Sequence, residues 1–179
     1  MSDKSGRSSN AARHMNTAFW LILTSVVVHG IIAGVSFDVA TVKLPTRKRI
    51  GVVAYAQFAR GNDMGNGIVV YPTIGIAALL LVASTTVSAY FLRMPQTVMA
   101  PLLVACVGTV AHSLCTAGAA PIMLSLRRAA DDEVYLAGKL NAFAKWHAYR
   151  AVFQFLTFVA LVWALVAISR SVGSGALMD

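Results

Sequence analysis

Polar and apolar positions separate into long blocks along this chain. Residues 14–37, 64–92, 94–126 and 151–169 contain no Asp, Glu, Lys or Arg. Each block reaches the roughly 18–20 residues needed to cross a hydrocarbon core ~30 Å thick. The pattern therefore predicts four transmembrane helices, the first from about Thr17 to Ala40. Residues 1–16, MSDKSGRSSNAARHMN, are polar and without periodicity and read as a disordered tail. Residues 17–171 then form a single four-span domain, and residues 172–179 are a flexible tail of small residues.

The connections carry their own signals. From Thr41 to Gly67 the chain passes through the basic KLPTRKR stretch, then IGVVAYAQFAR, apolar enough to lie as a short helix in the membrane interface. RGNDMGNG follows as a turn cluster, in which Asp63 or Asn66 could cap the second span. A tight link at Arg93, Met94 and Pro95 implies an antiparallel hairpin of spans two and three. Pro121 falls near the end of span three, and Asp131 or Asp132 is a candidate N-cap for a helix that starts at Glu133 and runs into span four. The expected fold is all-α: an integral membrane four-helix bundle of up-down topology, with a short interfacial helix between spans one and two. Gly30 and Gly34 form a small-xxx-small pair that would let span one approach a neighbour closely.

Composition sharpens this reading. With 58% hydrophobic and 12% charged residues in 179, the spans use most of the chain, leaving no room for a separate soluble catalytic, nucleotide-binding or nucleic-acid-reading domain. The net charge of +8 sits just outside the apolar blocks, where it meets lipid headgroups, so it speaks for membrane and not for nucleic acid. Lys4, Arg7, Arg13, Arg93 and Arg170 fall on the terminal face; the other face carries Lys43, Arg47, Lys48, Arg49, Arg60, Arg127, Arg128, Lys139 and Lys145. This bias favours cytoplasmic basic loops, with both termini outside, in the cell (inner) membrane. The basic tail before span one argues the other way. A signal-peptide reading of that span is disfavoured by its length and by the absence of a clean A-x-A site before Asp38. Cys106 and Cys115 lie on one helix, separated by roughly 13 Å of helical rise, too far to bridge.

Ionisable groups inside a bilayer are costly and usually face a bundle interior. His29 lies two residues past the centre of residues 17–37 and His112 two past the centre of residues 94–126, in spans of the same direction, so both imidazoles fall at one depth, roughly 3 Å past the midplane. On span four, His147, Arg150, Gln154 and Thr157 follow an i, i+3, i+7, i+10 spacing, which confines them to one face. The stripe descends towards the two histidines, and Tyr71, beside Pro72, sits near the depth of Gln154. His29 and His112 are the candidate bases; Arg150, Gln154, Tyr71 and His147 are candidate binding residues of a polar recess open to the basic-loop side. The alternatives are that each histidine simply joins two helices, and that Arg150, beside Trp146 and Tyr149, is an interfacial anchor.

Four segments carry a resemblance: Ala33–Gly34, RGNDMGNG-x-x-x-YP from Arg60 to Pro72, the API at Ala120 to Ile122, and W-H-x-x-R at Trp146, His147 and Arg150. In this order they resemble the anthrone oxygenase-like family of small four-span membrane proteins. The resemblance implies oxidation of a hydrophobic phenolic, anthrone-like substrate by molecular oxygen, with no cofactor, metal or flavin. Such chemistry needs a base and a cation that holds the developing oxyanion. Two other readings stand beside it. One is a haem or quinone protein, with His29 and His112 as axial ligands. The other is a non-enzymatic subunit that packs into a homo-oligomer or a larger membrane complex.

Overall fold

The computed structural model describes residues 4–175, with side chains described for residues 13–171. It is all-helical, with no strand among the described residues. α1 is Lys4–Asp38, followed by a π-helical turn at Val39–Lys43, α2 (Leu44–Ile50) and α3 (Val52–Asn62). α4 is Gly67–Phe91, α5 is Gln96–Ser125 with a 3-10 turn at Leu126–Arg128, and α6 is Glu133–Gly175. Residues 176–179 of the expected flexible tail lie outside the described residues, whereas the backbone of α1 is already helical at Lys4, inside the segment that composition reads as a disordered tail.

Among the described residues, four helical stretches are long and apolar enough to cross a membrane: Arg13–Ile50, Gly67–Phe91, Gln96–Arg128 and Glu133–Ser171. α4 packs against α1 and α5, α6 packs against α5 and α1, and α5–α6 is the most extensive pair. Glycine makes that last contact possible. A Cβ on Gly108 would collide with the Thr157 hydroxyl, and one on Gly118 would sit 2.9 Å from the Trp146 ring. The small-xxx-small expectation holds at one position only: Gly30 faces Phe158, where a Cβ would lie 3.2 Å from the ring, but Gly34 has nothing within 4 Å.

The irregular points have local causes. Pro45 has no N–H to give the carbonyl four residues back, and it stands at the start of α2, directly after the π turn. Gly51, at φ 88° and ψ 158°, then separates α2 from α3 with a backbone conformation open essentially to glycine alone. α4 ends in a Schellman motif: Arg93 N–H bonds the Tyr90 carbonyl and Met94 N–H the Ala89 carbonyl, with Arg93 itself at φ 51°. Asp132 caps α6 by accepting from the N–H groups of Val134 and Tyr135. The cap expected from Asp63 or Asn66 does not form on α4; Asp63 accepts from the Asn62 amide instead.

Two apolar clusters hold the bundle. One gathers Ile22, Val82, Val98, Leu102, Leu161 and Ile168 from the four spans. The other ties α2 and α3 to the end of α5 and the start of α6 through Leu44, Tyr55, Met123, Leu126, Leu140 and Phe143. The second is locked by Arg60, which donates to the Leu126 and Ala129 carbonyls and pairs with Asp131 at 2.8 Å. Burial, reinforced by Asp63, pushes the Tyr55 phenol up to about 12, so it stays protonated at neutral pH.

Candidate functional site

Fully buried polar side chains accompany these clusters within the spans: Ser25, His29, His147, Gln154 and Thr157 are all at 0% exposure. In such a place each polar group needs a partner, because desolvation without a hydrogen bond costs free energy. Ser25 and Thr85 meet at 3.1 Å across α1 and α4. Thr109 and Thr157 instead turn back onto carbonyls of their own helices.

The histidines of α1 and α6 make longer connections. Gln154 Nε2 donates to His29 Nδ1 and to the His29 carbonyl, each at 3.0 Å, so one side-chain amide clasps α1 from α6. Arg150 Nη2 donates to His147 Nδ1 at 2.8 Å, and His147 Nε2 donates to the Ser36 carbonyl at 3.0 Å. Phe143 stacks on the His147 ring, with centroids 5.7 Å apart. His112 Nδ1 donates to the Arg150 carbonyl at 3.3 Å. These partners set the tautomers: His29 and His147 carry their proton on Nε2, and His112 carries it on Nδ1.

The structure thus brings five of the six sequence-predicted residues into one connected region. His29, His112, His147, Arg150 and Gln154 join α1, α5 and α6, and His29 lies within electrostatic range of His112. Arg150 turns inward to His147, which argues against a purely snorkelling anchor. Tyr71 is different. Its side chain is half exposed, its ring lies near Gly67, and it reaches Arg150 through longer-range electrostatics without a hydrogen bond.

Two features qualify the geometry of a recess. Among the described residues, the buried side-chain N and O atoms without a hydrogen-bond partner are His29 Nε2, Arg150 Nε and Gln154 Oε1, all in this one cluster. The Ala78 carbonyl of α4 interacts with the His29 ring but does not close a well-formed bond to Nε2. The second feature is the start of α4. Ile68 to Thr73 are all exposed, whereas a packed helix would hide a residue every three or four positions; the buried contacts of α4 resume at Ala78. The first turns of α4 are therefore thinly covered, Ile68 and Tyr71 being the better covered face, and His112 and Arg150 are likewise only partly covered. An open side and a polar cluster lie together at the loop end of the bundle.

Asp63 is the residue that sequence reasoning misassigned. Instead of capping α4 it supplies the negative charge nearest in effect to Arg150, with Lys43 also acting on it. Burial holds its carboxyl above the ordinary carboxylate range, against the pull of Asn62, Lys43 and Arg150. Its signal was a lone acid next to the charge-free start of the second span, with an interior cation on span four to answer. No group of three or more His, Cys, Asp or Glu side chains able to hold a metal ion occurs among the described residues, and Cys106 and Cys115 are free thiols. No protein-family model, curated protein or solved structure matches the chain.

Proposed function

We propose that this chain is an up-down four-span membrane oxygenase of the anthrone oxygenase-like kind, which takes a hydrophobic phenolic substrate from the bilayer and oxidises it with molecular oxygen without a cofactor. The observation that carries the reading is the cluster of unpartnered atoms: two N–H donors, on His29 and Arg150, and one acceptor, on Gln154, in the bundle interior. A phenol supplies the matching pair, an oxygen that accepts and an O–H that donates. The thinly covered start of α4 gives an apolar molecule a lateral way in, past Tyr71.

In this reading His112 is the base. His29 has Nδ1 committed to Gln154, and His147 has both ring nitrogens committed; His112 uses Nδ1 as a donor and keeps the Nε2 lone pair. His112 takes a proton from the activated methylene, and the resulting carbanion, conjugated with a phenolate held by Arg150, forms a C–O bond with oxygen. The hydroperoxide then loses water to leave a carbonyl. One oxygen molecule is consumed, one of its atoms enters the product and the other leaves as water. α3 lies in the membrane interface, with the basic loops cytoplasmic in the cell membrane.

Oxygen uptake by the protein in nanodiscs, with an anthrone as substrate, tests the proposal. Uptake well above that of empty nanodiscs, with one oxygen consumed per quinone formed, supports it; uptake equal to the empty-disc background overturns it.

A further inference from the structure

Away from the interior, the face between the α1–α2 segment and α6 carries two grooves that meet. The first, of about 300 Å³, is lined only by apolar residues, among them Ala33, Phe37, Val152, Phe155 and Leu156. The second, of about 210 Å³, runs over Leu44, Ala144 and His147 to Arg47 and Lys48. Ala40 lines both. No residue of α4 lines either one, so the trough is separate from the open side near Tyr71.

Its length and polarity are those of one lipid. From Ala33 to Arg47 is fourteen residues, roughly 20 Å along a helix, against roughly 15 Å for one leaflet of hydrocarbon, with the remainder reaching the headgroups. Alanines make the floor, and Phe37, Val152 and Phe155 stand exposed along the length. At the polar end the cations are free. Lys43 is held by Asp38 at 3.3 Å, but no carboxylate pairs with Arg47 or Lys48 among the described residues. Two unpaired cations above an apolar trough complement a molecule with an anionic head and an aliphatic tail.

We propose that this trough is a binding site for an anionic phospholipid, its phosphate between Arg47 and Lys48 and one acyl chain laid past Ala40 towards Leu156. The lipid bridges the π turn of the first span to α6, over the segment whose Ser36 carbonyl receives His147.

Native mass spectrometry of the protein released from nanodiscs of equimolar phosphatidylglycerol and phosphatidylcholine tests this. Wild-type protein is expected to retain one phosphatidylglycerol with roughly thirtyfold preference over phosphatidylcholine, the scale set by two basic groups at an anionic headgroup. The Arg47→Gln/Lys48→Gln variant is expected to retain the two lipids equally, while Arg127→Gln/Arg128→Gln, which removes the same charge elsewhere, keeps the preference. Ala40→Phe, which obstructs the join of the grooves without touching charge, is expected to lose the retained lipid. No retained lipid on wild-type protein, equal retention of the two lipids, or an unchanged preference in the Arg47/Lys48 variant would overturn the proposal. Should that variant fail to fold, lipid retention by Ala40→Phe equal to wild type overturns it.

Discussion

At the scale of single residues, the buried polar groups divide by whether their bonds stay within one helix or cross to another. Gln154 crosses: its amide satisfies both the ring and the carbonyl of His29. Gln154→Leu removes both bonds and leaves their acceptors buried, and the expected loss is about 1–2 kcal/mol in thermal or steric-trap unfolding. The spacing of polar positions on span four made Gln154 and Arg150 legible as inward-facing, but spacing does not say which atom meets which. The pairing with His29 depends on how α1 and α6 are rotated against each other, and that is decided by packing such as Phe158 against Gly30. Asp63 gives a prediction of opposite character. A folded-state value raised by burial means that the protonated form fits the fold; its contribution is complete below about pH 3.8 and is lost as pH rises through the folded-state value. Asp63→Asn is therefore expected to melt higher than wild type at pH 7, with the difference closing as the pH approaches about 4. Asp131 runs the other way. Arg60, then Gln57, hold its carboxyl below the ordinary range, so its contribution is present above about pH 3.8 and is lost as pH falls through the folded-state value.

At the scale of elements, the four charge-free blocks located the spans, and the single helix from Glu133 through span four follows from the capping Asp132. What the pattern of apolar positions does not encode is where a helix changes its pitch. The π turn at Val39–Lys43 directly precedes α2 and Pro45, whereas Pro72, Pro101 and Pro121 sit inside helices that keep their pitch. The close crossing of α5 on α6 likewise depends on Gly108 and Gly118, whereas Gly34, equally small and equally placed on paper, opens outward. Small residues permit approach without choosing the partner. The α4–α5 link offers a clean test of backbone strain. Arg93 occupies the left-handed position of a Schellman motif that glycine occupies at little cost, so Arg93→Gly is expected to raise stability by about 1 kcal/mol, read as a higher melting temperature in detergent.

At the scale of the whole molecule, low charge content brought four apolar helices together, and the polar exceptions collected beside the thinly covered start of α4. That coincidence was only half legible. The matched depth of His29 and His112 could be counted along the sequence; the exposure of Ile68 to Thr73 could not, because those residues are as apolar as any packed stretch. The interior leaves two donors and an acceptor unmatched, and the proposed small aromatic substrate with a polar head is what would match them. The central claim is that His112 acts there as base while Arg150 holds the oxyanion. It is tested most directly by steady-state oxidation of an anthrone by wild-type and His112→Ala protein in the same nanodiscs, with equal folded fractions verified by melting. Loss of a general base predicts a fall in kcat of roughly 10²–10⁴-fold with KM little changed. A His112→Ala protein that turns over at the wild-type rate would contradict the account.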